Sequence, residues 1–307
     1  LKKRVFLAIA LLLLGLVPLL DAIARIACDG LWFQEVDYFK EFVLRRTTQG
    51  AIWTLVLTAT LAFFWGNFWL VGRLKYTQTW VNEPLNRSKL SAALQKPIDA
   101  PSGGKKQPKP VTKSLSLSWV LGLSIAAAAA IDLVCVHYGS IAATFWHLDL
   151  GKANGSIVLP SRLDLQSIGA WLSWVRQQPL SLAAFVPVAI LLLTRSDVCL
   201  KAIAILFSIG CAIILSAHWA RWLQFLYQTP FNRSDPVFQQ DISFFTFDLP
   251  IAQLVEFWLM GTILVTFCSV LLLYLLSGNA LSEGRFPGFS VRQQRHLQVL
   301  GGGVMLV

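Results

Sequence analysis

Asp132 is the residue of this 307-residue chain whose type and surroundings most clearly allow transport chemistry. It lies inside a long apolar run, and no Lys or Arg stands three or four residues away on either side. Charge inside a bilayer is costly and marks a functional candidate. Asp132 could hydrogen-bond a neighbouring helix, pair with Arg25, or line a path for protons or ions.

A second acid near an apolar run is Asp21, which precedes Arg25 by four residues. Residues at this spacing share one face of a helix and can form an ion pair. The spacing therefore predicts a local ion pair at the end of the first apolar run. Asp21 and Arg25 join Asp132 as candidate polar sites for transport or for structure.

Two histidines, His137 and His218, each stand at the end of an apolar run, and we expect both ends on the same side of the membrane. Two imidazoles from facing helices could hold a haem iron, and one could hold a chlorophyll magnesium. The plainer alternative is hydrogen bonding of both rings to headgroups, water or backbone. The cofactor, if there is one, is unknown from the sequence.

Motifs of catalysis are missing from the sequence. It contains no phosphate-binding loop, no dinucleotide-binding glycine pattern, no nucleophile elbow and no zinc-protease motif. The five cysteines form no Cys-x-x-Cys pair, which makes a zinc or iron–sulfur site unexpected. We therefore expect neither a catalytic site nor a metal site, and a protein that is not an enzyme.

The composition identifies the class of protein. The chain is 55% hydrophobic and 14% charged with a mean hydropathy of +0.60, whereas soluble domains carry about 25% charged residues. A bilayer core needs roughly 20 apolar residues in a helix. The sequence predicts an all-α, polytopic membrane protein with six to seven transmembrane helices. The predicted spans are about 5–27, 51–74, 116–138, 180–194, 202–219 and 255–277, with a seventh starting near 297.

The predicted fourth and fifth spans are short and separated only by 195–201. They form either a tight antiparallel hairpin or a re-entrant pair. The segments left between the predicted spans on the outer side are long and rich in aromatic residues, which favour the headgroup layer. We expect those extracytoplasmic loops to lie on the membrane.

Basic residues indicate the orientation. With the N-terminus in the cytoplasm, 17 of the 26 Lys and Arg residues fall on the cytoplasmic side, as the positive-inside rule requires. The net charge of +10 is then a sign of topology, and no nucleic-acid partner is expected. Residues 96–113 are rich in Pro, Gly and Lys, which predicts a flexible cytoplasmic linker that can bind anionic lipid.

Two motifs resemble a known family. Residues 31–42 follow the pattern WFxExGYxxxF, with Asp37 at the Gly position, and residues 235–250 follow DPxFxxDISFYxFxLP, with Phe245 at the Tyr position. Together they resemble the UPF0182 family of large, uncharacterised bacterial membrane proteins. The motif residues are Trp32, Phe33, Glu35, Tyr38, Asp235, Pro236, Phe238, Asp241, Phe244, Phe247 and Pro250.

The resemblance implies about seven spans followed by a large soluble region, which would lie beyond Val307 and outside the cytoplasm. The chain starts at Leu1 and stops in an apolar run, so we expect it to be the N-terminal portion of a longer protein. Such proteins occur in bacteria, including cyanobacteria, so the expected location is the plasma membrane or a thylakoid membrane. The family supplies no activity and no catalytic residues.

The second motif also has a physical interpretation as loop architecture. Asp235-Pro236 starts a turn, and Asp241 can cap the short segment after it. The phenylalanines would then anchor that segment before Pro250 opens the next helix. Binding of a substrate by Asp235, Asp241 and Asp248 is the alternative.

These observations favour a non-catalytic scaffold or an accessory subunit of a membrane complex, which anchors an extracytoplasmic domain and has membrane-protein partners. The first alternative is a transporter or channel that uses Asp132 and the acids of the outer side. The second is a haem- or chlorophyll-binding protein that uses His137 or His218.

Overall fold

The computed structural model describes residues 16, 20–21, 23–76, 115–146, 159–161, 169, 173, 188, 190–276, 285–286 and 288–307. These residues are overwhelmingly helical, which confirms the predicted all-α class. The exception is one antiparallel pair of two-residue strands, β1 (Leu115–Ser116) and β2 (Arg285–Phe286), in which Leu115 lies opposite Phe286. The predicted linker at 96–113 lies outside the described residues.

Helix α1 covers 23–35. The remaining helices are α2 (Phe39–Tyr76), α3 (Leu117–Trp146), α4 (Ser196–Ala217), α5 (Trp219–Leu226), α6 (Leu249–Leu276) and α7 (Val291–Leu306), with a π-helical turn at Phe244–Asp248 directly before α6. Residues 190–194 are also helical and meet α4 at a bend on Arg195.

Four helices are long and apolar enough to cross a membrane among the residues described: Phe39–Leu74, Ser118–Phe145, Ser196–Ala217 and Phe244–Leu276. They correspond to the predicted spans 51–74, 116–138, 202–219 and 255–277. Most of the predicted spans 5–27 and 180–194 lie outside the described residues. The total of six to seven spans therefore stays a prediction.

The described helices extend beyond the predicted spans. The helix of the second span begins at Phe39 and not near Ala51, and the third continues to Trp146. Apolar patterning detects only the part of a helix that lies in lipid, whereas charged residues such as Arg45 and Arg46 continue a helix readily. Helix α7 begins at Val291, before the predicted start near 297, because Ser290 and Gln293 form a capping box.

The contacts between helices fix their relative directions. Helices α2 and α4 are antiparallel, since Phe64 packs edge-on against Phe207 while Val71 and Leu200 share the core further along. Helices α3 and α4 are parallel, because the contacts between them advance in the same direction along both. Tyr138 contacts Phe207, and further along, Phe145 contacts His218, the residue directly after α4.

Helix α6 is antiparallel to α3, because Tyr138 stacks on Phe257 and Val120 packs with Leu275. All four helices therefore share two ends. We call the end where α2 and α6 begin the loop end, because residues 228–243 lie there. The other end, where α3 and α4 begin and the two strands lie, is the strand end.

Polar side chains join the helices at two levels. Near the loop end, Tyr138 Oη donates to the carbonyl of Phe257 at 2.6 Å, and Trp258 Nε1 donates to Thr60 Oγ1 at 2.8 Å. Towards the strand end, His296 lies between Tyr274 and Asn67 at 2.8 and 2.9 Å. In lipid the hydrophobic effect does not drive helices together, so close packing and such bonds carry the association.

Candidate functional site

The loop end of the bundle holds most of the candidate residues, and its centre is the segment 228–243, which we call the loop-end hairpin. Ser234 and Asp241 form an antiparallel bridge. The backbone N–H of Asp235 donates to Gln240 at 2.8 Å, and that of Ile242 donates to Arg233 at 2.9 Å. The segment therefore has a defined fold between α5 and α6.

Both motif carboxylates of the loop-end hairpin bind its own backbone. Asp235 Oδ2 accepts from the N–H groups of Val237 and Phe238 at 3.0 and 2.8 Å, and Asp241 Oδ1 accepts from those of Ser243 and Phe231 at 2.8 and 3.2 Å. Donation from Ser243 is the main cause that holds the pKa of the Asp241 carboxyl below its ordinary value. The predicted turn at Asp235 and the predicted cap by Asp241 are confirmed.

Aromatic rings pair across the loop-end hairpin and the π turn. Phe231 stacks on Phe247 with ring centres 5.8 Å apart, and Phe238 packs against Phe245 at 5.9 Å. Phe244 meets Phe245 edge to face at 5.3 Å. The tip remains open: Phe238 is 68% exposed. The rings therefore fix the hairpin to the start of α6 and leave an apolar tip.

The sequence predicted that Pro250 opens the next helix. In the structure the helical segment begins earlier. The chain is already helical at Ile242 and passes through the π turn Phe244–Asp248 before α6. Proline has no backbone N–H, so the regular bond from residue 250 to the carbonyl of Thr246 cannot form. The wider turn, in which Leu249 N–H donates to Phe244, accommodates this gap.

The first motif forms the junction between α1 and α2. Trp32 meets Phe33 edge to face at 5.0 Å, and Phe33 packs on Phe42 at 5.5 Å. The N–H of Tyr38 donates to Phe33 and that of Asp37 to Gln34, which is the Schellman pattern that ends a helix. Asp37 has φ 60, a left-handed conformation that favours glycine. Glu35 is exposed in the last turn of α1.

A group that the sequence reading missed lies beside this junction. Arg46 Nη2 forms an ion pair with Asp29 at 2.6 Å, and Arg45 Cζ lies 5.9 Å from the centre of the Trp219 ring on α5. In the part of the chain that the structure describes, the Nε atoms of Arg45 and Arg46 are both buried and find no hydrogen-bond partner. We call Arg45 and Arg46 the arginine pair. Their adjacency just before an apolar run was the available signal.

The predicted ion pair between Asp21 and Arg25 is present, with Arg25 Nε 2.8 Å from the Asp21 carboxylate. Both side chains are more than half exposed. An exposed pair of this kind contributes about 0–1 kcal/mol to stability. It is therefore a feature of the surface of the first helix and does not mark a buried transport site.

Asp132 lies close to the midpoint of α3 and is only 7% exposed. Among the described residues it makes no hydrogen bond and no ion pair, and Arg25 is paired with Asp21. The predicted alternative of an Asp132–Arg25 pair is therefore wrong. Of the candidate polar sites, Asp132 alone combines burial with a central position in a candidate span.

The structure does not bring His137 and His218 together. The ring of His218 packs against Phe145, eight residues and about 12 Å further along α3 than His137. His137 Nε2 donates to the carbonyl of Ser161 at 3.0 Å, and His218 Nδ1 donates to that of Ile214 at 2.8 Å. Joint ligation of one haem iron does not fit this arrangement. Ligation by a single histidine stays a prediction.

Comparison with known protein families decides the identity of the chain. The model of the "Uncharacterised protein family (UPF0182)" matches residues 5–307. The chain belongs to the UPF0182 family.

Similar UPF0182 proteins occur in cyanobacteria. One from Nostoc sp. strain PCC 7120 is 37% identical over 97% of this chain, one from Trichodesmium erythraeum is 34% identical over 92%, and one from Synechocystis sp. strain PCC 6803 is 31% identical over 99%. The chain spans 30%, 27% and 29% of the length of these three relatives. No solved structure matches it.

For this UPF0182 chain, the geometry distinguishes two kinds of polar group. Motif carboxylates and the interhelical phenol, indole and imidazole groups are engaged within the fold. In the described part of the chain, Asp132 is 7% exposed and its side chain forms no hydrogen bond or ion pair, and Arg45 and Arg46 have buried Nε atoms without a hydrogen-bond partner. In that same part, no three His, Cys, Asp or Glu side chains come together as metal ligands.

Proposed function

We propose that this UPF0182 chain is a non-catalytic membrane scaffold, which anchors an extracytoplasmic region or a membrane-protein partner at its loop end. The observation that carries the proposal is that polar side chains at the loop end form hydrogen bonds within the fold itself. Asp235 and Asp241 order the loop-end hairpin itself, and Tyr138 and Trp258 lock the helices beneath it. The result is a rigid base with an apolar tip.

Basic residues support an orientation with the N-terminus in the cytoplasm. The strand end carries Arg73, Arg195, Lys201, Arg292 and Arg295. In the sequence, the Lys-rich stretch 96–113 stands between α2, which ends there, and α3, which begins there. On the positive-inside rule the strand end is cytoplasmic, and the loop end lies outside or in a lumen. Lysines of the connection would then meet the anionic inner leaflet.

The parallel packing of α3 and α4 supports a further crossing between them. Helix α3 ends at the loop end with Trp146, whereas α4 begins at the strand end with Ser196. The chain must therefore return from one end to the other between these residues. This requirement favours a fourth span near 180–194 that crosses the membrane, and we include that crossing in the proposal.

The relatives are more than three times as long as the matched segment, and we propose that in such proteins the bundle holds a large extracytoplasmic region. The membrane is the plasma membrane or, as the cyanobacterial relatives suggest, the thylakoid membrane. Either location leaves the scaffold role unchanged.

The test compares two exposed apolar side chains of equal accessibility. Phe238 at the hairpin tip and Leu206 on the outward face of α4 are both 68% exposed. Phe238→Ser and Leu206→Ser are made in the full-length protein, which is purified from native membranes in mild detergent, and co-purified proteins are quantified by mass spectrometry.

The proposal expects a partner at fixed stoichiometry with the wild type and with Leu206→Ser, and its loss with Phe238→Ser. A wild-type protein that purifies alone contradicts the accessory-subunit form of the proposal. Partners that both variants retain equally contradict the role of the loop end.

A second candidate function is transport through the bundle, because Asp132 is a buried carboxylate without a partner among the described residues, near the midpoint of α3. Such a group could carry a proton or bind a cation that enters past the outer-side acids. Proteoliposomes with the wild type and with Asp132→Asn would be compared for proton flux, using an internal pH dye and an imposed potassium gradient. Flux that Asp132→Asn abolishes supports transport; flux equal in both proteins, or in empty liposomes, removes it.

A further inference from the structure

The arginine pair lies at the depth of the lipid headgroups. Arg45 and Arg46 precede the apolar run at Ala51 by six and five residues of continuous helix, which is about 8–9 Å. Half the difference between the full bilayer and its hydrocarbon core gives a headgroup layer of roughly 5–8 Å on each side. Trp219 and Trp222 on α5 lie at the same end of the bundle, as is usual for this layer.

The charge of this cluster is incomplete. Arg45 and Arg46 carry two positive charges, and Asp29 supplies one negative charge, which it gives to Arg46 at 2.6 Å. In the described part of the chain, no carboxylate forms an ion pair with Arg45. The described residues therefore leave a net charge of one positive unit on this cluster, at a site that is drier than bulk water. A bound anion would neutralise that charge.

The hydrogen bonding is incomplete in the same way. Within the described residues, the Nε atoms of both arginines are buried without a hydrogen-bond partner, and so is Nε1 of Trp222, one turn along α5 from Trp219. A buried donor without an acceptor costs about 1–3 kcal/mol. The rest of the Arg45 side chain is partly exposed, so an oxyanion can reach the guanidinium from outside the bundle.

From this geometry we propose that the arginine pair, flanked by Trp219, binds a tetrahedral oxyanion of the phosphate or sulfonate class. The guanidinium of Arg45 is planar and can donate two parallel N–H···O hydrogen bonds to two oxygens of such a group. Arg46, held by Asp29, fixes the second positive charge beside it. The depth of the pair favours the headgroup of an acidic lipid in the leaflet at the loop end.

The experiment measures lipid binding by full-length protein in detergent. Phosphatidylglycerol, phosphatidylcholine and inorganic phosphate are added separately, and lipid retention in native mass spectra is recorded together with Tm. The test variants are Arg45→Gln, which removes the charge and the planar guanidinium, and Arg45→Lys, which keeps the charge only. The control is Arg73→Gln at the strand end of the same helix, where Arg73 stacks on Trp69 at 3.9 Å.

The wild type should retain phosphatidylglycerol in preference to phosphatidylcholine. Arg45→Gln should weaken that binding about tenfold or more, Arg45→Lys should fall between, and Arg73→Gln should match the wild type. A competing effect of inorganic phosphate that also depends on Arg45 would identify a soluble oxyanion as the ligand of the same site. If Arg45→Gln does not fold, the Arg45→Lys comparison decides.

Two results would overturn the site. One is equal retention of phosphatidylglycerol by the wild type and the folded Arg45 variants. The other is a wild type that neither prefers phosphatidylglycerol nor responds to phosphate.

Discussion

The ring of Tyr138 occupies the space in which residue 261 would place a side chain. A Cβ added to Gly261 would lie 2.6 Å from Tyr138 Cε1 and 2.5 Å from its Oη. The same ring stacks on Phe257 at 4.3 Å and donates its hydroxyl hydrogen to that residue's carbonyl. Glycine at 261 is therefore what allows α3 and α6 to approach this closely.

Gly261→Ala should lower the free energy of unfolding by about 1–3 kcal/mol, because the methyl group forces the ring of Tyr138 out of its place. Thermal unfolding in detergent measures the change. Gly122→Ala is the matched control, since a Cβ there meets nothing within 4 Å and alanine favours the helix. Equal effects of the two substitutions would show that close packing at Gly261 does not matter.

The bond from Trp258 Nε1 to Thr60 Oγ1 offers a second test of helix association. Thr60→Val keeps the shape of the side chain but removes the acceptor that this indole has among the described residues, at 2.8 Å. The expected loss is about 0.6–2 kcal/mol. Thr58→Val is the control, because Thr58 is exposed and bonds only to carbonyls of its own helix. A loss as large for Thr58→Val would contradict the interhelical role.

Asp37 holds a left-handed conformation at the position where the family motif has glycine. Asp37→Val should destabilise the protein by about 1–2 kcal/mol, since a β-branched residue is strained there. Asp37→Gly and Asp37→Asn should stay within about 1 kcal/mol of the wild type. Melting temperatures of the three variants provide the comparison, and a Val variant as stable as the Gly variant would exclude strain at this turn.

Stability should depend on pH through His296. Burial lowers the pKa of His296 from its ordinary value, so the unfolded chain takes up the proton first as the pH falls. Stability is then greatest above about pH 6.5, falls as the pH drops below that value, and levels off below the folded-state pKa. Tm is measured from pH 7.5 to 5.0 in the wild type and in His296→Gln. A slope that His296→Gln leaves unchanged would assign the effect to another group.

The geometry around His296 gives this prediction its mechanism. The neutral ring donates from Nε2 to Asn67 Oδ1 and accepts at Nδ1 from the hydroxyl of Tyr274. Protonation places a hydrogen on Nδ1, so the bond to Tyr274 reverses and the ring donates to the hydroxyl oxygen. The cost is that of holding a charged ring at a buried position between α2, α6 and α7.

The sequence predicted those parts of the fold that depend on residues close together along the chain. Four apolar runs became four helices, because a run of that length in lipid must satisfy its own backbone bonds. The turn at Asp235 and the cap by Asp241 were also predictable, since an Asp side chain binds N–H groups only two or three residues away.

Contacts between distant residues had no such signal. Arg46 and Asp29 meet only because the left-handed turn at Asp37 folds α1 back on α2. The separation of His137 from His218 depends on how α4 is set against α3, which patterning does not determine. For the same reason the sequence identified Asp132 as buried in a span but could not tell which groups surround it.

The bonds between helices have a consequence for the order of synthesis. Asn67 and His296 are 229 residues apart, and Thr60 and Trp258 are 198 apart. At 5–20 residues per second, Asn67 waits roughly 10–45 s for its partner after it has been made. Each early side chain has an interim acceptor in its own helix, because Asn67 Nδ2 donates to Phe63 and Thr60 Oγ1 to Val56. Helix α2 can therefore stay in the bilayer during translation with a hydrogen-bond donor of each of these side chains already engaged.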